Sequence, residues 1–206
     1  MDNLIIVIGV PRSGTTLLAS MLGGHPDISM MDECYNKDIF KQIGTKLIGN
    51  KIACDGMVCS YKEVRIPIIG SLVNRIVNIP FRNRQLIRYI PVYNYSIENL
   101  IYMGAKFIII ERNKEDVIDS NVVRGKMPKW IAKMKYKYGM KTIRYLKNNY
   151  DIKGMQSEHI VIKYEELLSD TNKQLRDICD FLNVEQLIYS MKAGAEYNVR
   201  YNKKLL

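Results

Sequence analysis

The opening stretch of the chain, through Thr16, constrains the fold more than any other. Leu4-Ile5-Ile6-Val7-Ile8 is an unbroken aliphatic run, mostly β-branched. Such a run reads as a strand buried on both faces, as in a parallel sheet. It breaks at Gly9 into Val10-Pro11-Arg12-Ser13-Gly14, a loop punctuated by Gly and Pro. A helix is predicted to start at Thr15 or Thr16, because Leu17, Leu18, Met21 and Leu22 recur on one stripe. Strand, tight loop and helix N-terminus together form an oxyanion cradle. Loop N–H groups converge on the ligand, and the helix dipole adds about half a positive charge.

The same alternation continues downstream. Strands are predicted at 4–9, weakly at 51–54, and at 86–90, 106–111 and 159–164. Helices are predicted at 15–23, 35–48, 62–77, 95–103, 114–124, 128–149, 171–182 and 185–192. This order implies an α/β fold, a three-layer phosphate-loop-type domain whose central parallel sheet is flanked by helices. Ligands of such sheets bind beyond the C-terminal strand ends. With 206 residues, 47% of them hydrophobic, and no repeat or linker, residues 1–206 read as a single domain. Residues 196–206 read as a basic tail.

The loop nearly matches G-x-x-x-x-G-K-[ST], with Gly9 and Gly14 as its glycines. Thr15 stands where nucleoside triphosphatases carry Lys, and the cation sits earlier, at Arg12. That displacement argues against, without closing, a small-molecule or nucleotide kinase that uses ATP and Mg²⁺. A non-catalytic basic module for nucleotides or nucleic acid is a further alternative, although no zinc-finger or aromatic RNA-binding signature supports it.

Gly9-Val10-Pro11-Arg12-Ser13-Gly14-Thr15-Thr16-Leu17, followed by Met21-Leu22 and His25-Pro26, resembles the sulfotransferases that use 3′-phosphoadenosine 5′-phosphosulfate (PAPS). The similarity is greatest to the tyrosylprotein, Golgi-type and bacterial branches. It covers roughly residues 4–185, and it implies transfer of a sulfuryl group from PAPS to a hydroxyl acceptor, leaving 3′,5′-bisphosphoadenosine. Pro11, Arg12, Ser13, Gly14, Thr15 and Thr16 would hold the 5′-phosphate. Arg112, at the end of Lys106-Phe107-Ile108-Ile109-Ile110-Glu111, and Ser120 eight residues on would grip the 3′-phosphate. A bidentate fork plus a hydroxyl suits that group. Arg12 would stabilise the leaving charge, and no metal is expected, since the arginines and the loop supply positive charge.

Glu33 falls where the resemblance implies a general base; neighbouring Asp32 is its rival, with helix capping as the other use for either acid. His25, in a Gly-His-Pro setting, fits a helix-ending turn better than a base. The family strand ending in Lys-x-Pro, whose Lys touches the transferring group, falls at Gln85–Pro91. There Tyr89 stands two before Pro91, so Arg88 or Tyr89 would have to take over. Ile162-Lys163-Tyr164-Glu165-Glu166-Leu167 matches the segment closing the family core, read as a strand end and a capped helix.

The net charge of +10 favours anionic partners such as the nucleotide, an acidic peptide or a sulfated glycan. Lys133, Lys137, Lys141 and Arg144 recur at helical spacing as a basic ridge able to steer an acidic acceptor. Trp130, Met134 and Tyr138 are expected to dock beside it on the domain. The four cysteines, without a C-x-x-C pair and with only two His, read as reduced thiols rather than a zinc site. The run at 4–8 is short and spent on the first strand, and no stretch is long enough to span a membrane. A cytoplasmic enzyme is therefore expected. A tyrosine peptide, a sugar, a lipid or a small alcohol all fit as the acceptor, and the sequence sets no oligomeric state.

Overall fold

The computed structural model describes residues 3–33, 46–54, 59–60, 95–148 and 158–196. Strand β1 (Leu4–Gly9) is buried along its whole length. It lies at the centre of a five-stranded sheet with β2 (Ile28–Asp32), β3 (Leu47–Ala53), β6 (Lys106–Glu111) and β7 (His159–Lys163), in the order β2-β3-β1-β6-β7. Every pairing is parallel. From β1 the chain passes to the edge strand β2, returns to β3 beside β1, and later crosses to β6 on the other side. The C-terminal end of β1 therefore marks the switch point where open α/β sheets bind ligands. A short parallel pair, β4 (Cys59–Ser60) with β5 (Tyr95–Ser96), forms a separate small sheet.

The pleat sends alternate β1 residues to opposite cores. Ile5 and Val7 join Leu17, Leu18, Met21 and Leu22 of α1 (Thr15–Gly23). The same cluster takes in Tyr164 and Leu167 of α5 (Tyr164–Ser169), Leu175 and Ile178 of α6 (Thr171–Leu182), and Met191 of α7 (Ile188–Glu196). Leu4, Ile6 and Ile8 face the other way, toward Leu100 of α2 (Ile97–Tyr102) and Ile143 and Leu146 of α4 (Lys129–Lys147). Helix α3 (Lys114–Val123) follows β6 and packs on the start of α4. Two apolar clusters, one per sheet face, give the three layers expected. Each fully buried Ile or Leu contributes roughly 1.5–3 kcal/mol, so the sheet is the stable frame on which the site is hung.

Local readings held where periodicity was strong: α1 starts at Thr15, β6 spans 106–111 and α6 spans 171–182. Others differ. Residues 47–48, read as the end of a helix over 35–48, open strand β3, and the weak strand at 51–54 is its second half. Residues 28–32, for which no strand was predicted, form β2. Residues 95–96, read as the start of a helix over 95–103, form β5, and the helix read at 185–192 lies at Ile188–Glu196. A further difference is in α4, which buries Ile131, Ala132, Lys135, Gly139, Thr142, Ile143 and Leu146. Trp130 and Tyr138 are instead exposed, at 66% and 48%. The helix at 62–77 and the strand at 86–90 lie outside the described residues, as does the tail from 197. Among the described residues, no helix is long and apolar enough to cross a membrane.

Candidate active site

The loop after β1 is built around backbone conformations that few side chains tolerate. Gly14 caps α1 at φ 104°, and Arg12 sits at φ 75°. Ser13 N–H donates to the Val10 carbonyl at 3.0 Å, closing the turn. A Cβ at Gly14 would lie 2.4 Å from the Tyr164 ring, so only glycine lets the loop settle on that ring. Holding Arg12 in the left-handed region costs roughly 1–2 kcal/mol. Such strain concentrates where geometry serves a ligand.

Arg112 is held on three sides. Its guanidinium lies over the Tyr164 ring at 4.5 Å, Nη1 donates to the Arg12 carbonyl at 3.2 Å, and Nη2 stands 3.9 Å from Asp116. Tyr164 thus seats both the loop and the cation, a role beyond the structural closure read from the sequence. Asn113 caps α3 by accepting from Glu115 and Asp116 N–H groups. Asn121, buried one residue past Ser120, donates through Nδ2 to the Pro11 carbonyl at 3.2 Å and the Val117 carbonyl at 2.9 Å. Helix α3 is therefore pinned to the loop at the turn that carries half-buried Ser120. Asn121 escaped the sequence reading, because nothing local distinguishes it from a solvated helix residue.

Two buried side-chain polar atoms among the described residues have no hydrogen-bond partner: Ser13 Oγ and Arg112 Nε. Buried donors rarely go unmatched, since each costs about 1–3 kcal/mol. Both belong to residues assigned to the anion cradle, and an anion's oxygens are the partners such donors take.

On the other side of β1, the parallel register sets Lys51 of β3 beside Val7 and beside Asp32 of β2. Lys51 is only 6% exposed. Its Nζ contacts Asp32, lies 3.2 Å from Glu33 and reaches Thr16 Oγ1 at 3.5 Å. Glu33 adopts φ 50° at the end of β2, held by its N–H donating to the Lys51 carbonyl at 3.0 Å. The structure thus brings Thr16 of the cradle, both candidate bases and a buried lysine together. Arg88 and Tyr89 lie outside the described residues. Lys51 was missed because Gly49-Asn50 interrupts its strand signal; the one available clue was a lone Lys inside Leu47–Ala53.

His25 belongs elsewhere. It is buried, with Nδ1 accepting from Asp27 N–H at 3.1 Å and Nε2 at 2.9 Å from the Glu185 carbonyl. That pairing ties the end of α1 to the segment that leads into α7. Cys54 and Cys179 are buried free thiols. Burial, more than the nearby Asp180 charge, pushes the Cys179 thiol up, so it is a core residue rather than a nucleophile.

A parallel 2-3-1-6-7 sheet with a glycine-bounded loop between strand and helix at its switch point defines an α/β phosphate-loop-type fold. A profile of the sulfotransferase family matches residues 4–187, and the chain belongs to that family. A putative protein-tyrosine sulfotransferase of Caenorhabditis briggsae is 28% identical over 199 residues, covering 89% of this chain and 66% of the relative. Protein-tyrosine sulfotransferase 1 of Danio rerio is 24% identical over 190 residues, covering 88% of this chain and 53% of the relative. The chain thus spans between half and two thirds of the length of these curated relatives. The crystal structure of mouse sulfotransferase SULT7A1 complexed with PAP shares the fold, with a TM-score of 0.56 at 17% identity over 95% of this chain and 63% of that one.

Proposed function

We propose that this chain transfers a sulfuryl group from PAPS to a hydroxyl acceptor by in-line displacement. The observation that carries the reading is the pair of orphaned buried donors, Ser13 Oγ and Arg112 Nε, flanking a strained glycine loop in a sulfotransferase fold. When bound, the nucleotide supplies an activated sulfur whose bond to the bridging phosphate oxygen breaks as the acceptor oxygen bonds to it.

The N–H groups of Gly14 to Thr16, the Ser13 hydroxyl and the α1 dipole bind the 5′-phosphate side, the Ser13 N–H being spent on the Val10 carbonyl. Arg12 stabilises the charge left on the bridging oxygen. Arg112 and Ser120 select the 3′-phosphate, with Arg112 kept in place by Tyr164. Glu33 accepts the acceptor's proton, with Asp32 as the alternative base beside the same ammonium. Lys51 fills the role for which the sequence offered Arg88: its buried ammonium reaches the cradle's Thr16 and stabilises charge on the group in transit. It also orients the two carboxylates through its ion pairs with them. Catalysis then rests on positioning and electrostatics.

Calorimetric titration with 3′,5′-bisphosphoadenosine against ATP tests the proposal. Binding of the bisphosphate without magnesium, with Arg112→Ala weakening it but sparing adenosine 5′-phosphosulfate, is the expected result. A lost charged partner costs roughly 1.5–3 kcal/mol. Preferential binding of ATP with Mg²⁺ would instead establish a kinase.

A further inference from the structure

From Ser120 to Tyr150 the chain contains no Asp or Glu, yet it carries Arg124, Lys126, Lys129, Lys133, Lys135, Lys137, Lys141, Arg144 and Lys147. Lys129 reaches Asp119 at 3.9 Å and Lys147 reaches Glu111 at 3.1 Å, both outside that stretch. At 100° per residue, Trp130, Lys133, Lys137, Lys141 and Arg144 form one stripe of α4, directly opposite the buried residues Lys135, Gly139 and Leu146. The buried side is locked in place: a Cβ at Gly139 would lie 2.2 Å from the Cys54 carbonyl and 2.7 Å from Val10. The stripe therefore has a fixed outward direction, and it runs about 21 Å from Trp130 to Arg144.

At the start of this stripe the surface is apolar as well as basic. Trp130 is 66% exposed, and Val123, at the end of α3, is 75% exposed. Arg124, Lys126 and Lys129 occupy the turn between them and are exposed too. A solvated charged face needs neither an indole nor a valine. A soluble polyanion would match the cations and gain little from Val123. An anionic bilayer matches both: phosphates and carboxylates of the headgroups meet the cations, while Trp130 and Val123 enter the boundary with the acyl chains.

We propose that the α4 ridge, with the α3–α4 turn at its tip, is a docking surface for anionic lipid membranes. The contact is peripheral and lays α4 along the membrane plane. Because Gly139 sits against Val10 of the cradle loop, docking holds the site close to the lipid surface.

Trp130 is the sole tryptophan of the chain, so its fluorescence reports on this surface alone. The full chain is mixed with vesicles of phosphatidylcholine, or of phosphatidylcholine with phosphatidylserine. Co-sedimentation with the mixed vesicles only, a blue shift of Trp130 emission and protection from acrylamide are expected. Added salt should weaken the binding. Lys133→Glu combined with Lys137→Glu should lower partitioning at least about 25-fold, from about fivefold per cation removed, without altering the melting temperature. Absence of co-sedimentation overturns the proposal. So does sedimentation that leaves Trp130 open to acrylamide, since another face would then be responsible. Protection of Trp130 by polyglutamate or RNA, but not by vesicles, overturns it in favour of a soluble polyanion. None of these readouts depends on sulfuryl transfer.

Discussion

Replacing Lys51 by Met separates catalysis from stability more cleanly than any other substitution in the site. At 3.2 Å and an effective dielectric constant near 20, the gross attraction between Lys51 and Glu33 is about 5 kcal/mol, and Asp32 adds a similar amount. Two effects oppose it. Burying the ammonium costs several kcal/mol. The carboxylate side chains are 43% and 73% exposed, so water already screens them and will hydrate them if the lysine goes. Met preserves the packed stem within β3. The net change in folding stability should therefore stay within about 1 kcal/mol, or at most a few degrees in melting temperature. Removing a buried cation from the transferring group should cost on the order of 10²–10³ in turnover. The assay pairs a thermal melt, with and without 3′,5′-bisphosphoadenosine, with radiolabelled sulfuryl transfer to a panel of phenols, sugars and tyrosine peptides. Turnover within threefold of the parent, roughly the noise of such context effects, would refute the role given to Lys51. A stability loss above about 3 kcal/mol would show that the pair is structural.

Glu33→Gln should preserve nucleotide affinity and lower turnover about 10²–10⁴-fold; a larger loss in Asp32→Asn than in Glu33→Gln, measured in the same transfer assay, would move the base by one residue. His25→Ala orphans the Asp27 N–H and the Glu185 carbonyl and should cost roughly 2–4 kcal/mol in urea denaturation without altering nucleotide affinity. Alkaline stability should follow Cys179 and Tyr136. Burial raises both folded pKa values above their ordinary 9.0 and 10.0, with Glu111 as the next contributor for Tyr136. A raised folded value means that stability is fully present below the unfolded pKa and is lost as pH climbs from there through the folded pKa. Denaturation midpoints should therefore fall above about pH 9, and Cys179→Ala should flatten the first part of that fall.

The parts of the site that were legible in the sequence are those encoded locally. Strand, loop and helix N-terminus follow one another within residues 4–23, so apolar pattern and glycine spacing suffice to place Arg12 through Thr16. The positions of Arg112 and Ser120, just past a strand end and on the helix after it, were legible for the same reason, while the role given to them came from the family resemblance. Lys51 and Asn121 were not, because their meaning arises from tertiary neighbours. Lys51 matters only once β3 lies in register between β1 and β2, and Gly49-Asn50 suppresses the strand signal that would have announced it. The orientation of α4 was misread for a related reason. Trp130, Met134 and Tyr138 are the larger apolar residues, yet the close approach to the Cys54 carbonyl admits only Gly139, which rotates the helix and turns Trp130 outward.

The strand order carries a consequence for how this chain is made. β1 is synthesised before the other strands of its sheet, yet one of its neighbours, β6, lies about 100 residues later. At roughly 5–20 residues per second, that wait lasts about 5–20 s, during which Leu4–Ile8 has no complete sheet to enter. An apolar strand left waiting is a natural target for a holding chaperone and a natural seed for association. Lys51, Asp32, Glu33 and Arg112 also surround the loop only after β1 has found partners on both sides. Nucleotide binding should thus appear late and all at once during synthesis, which makes it a sensitive marker that the last central strand has arrived.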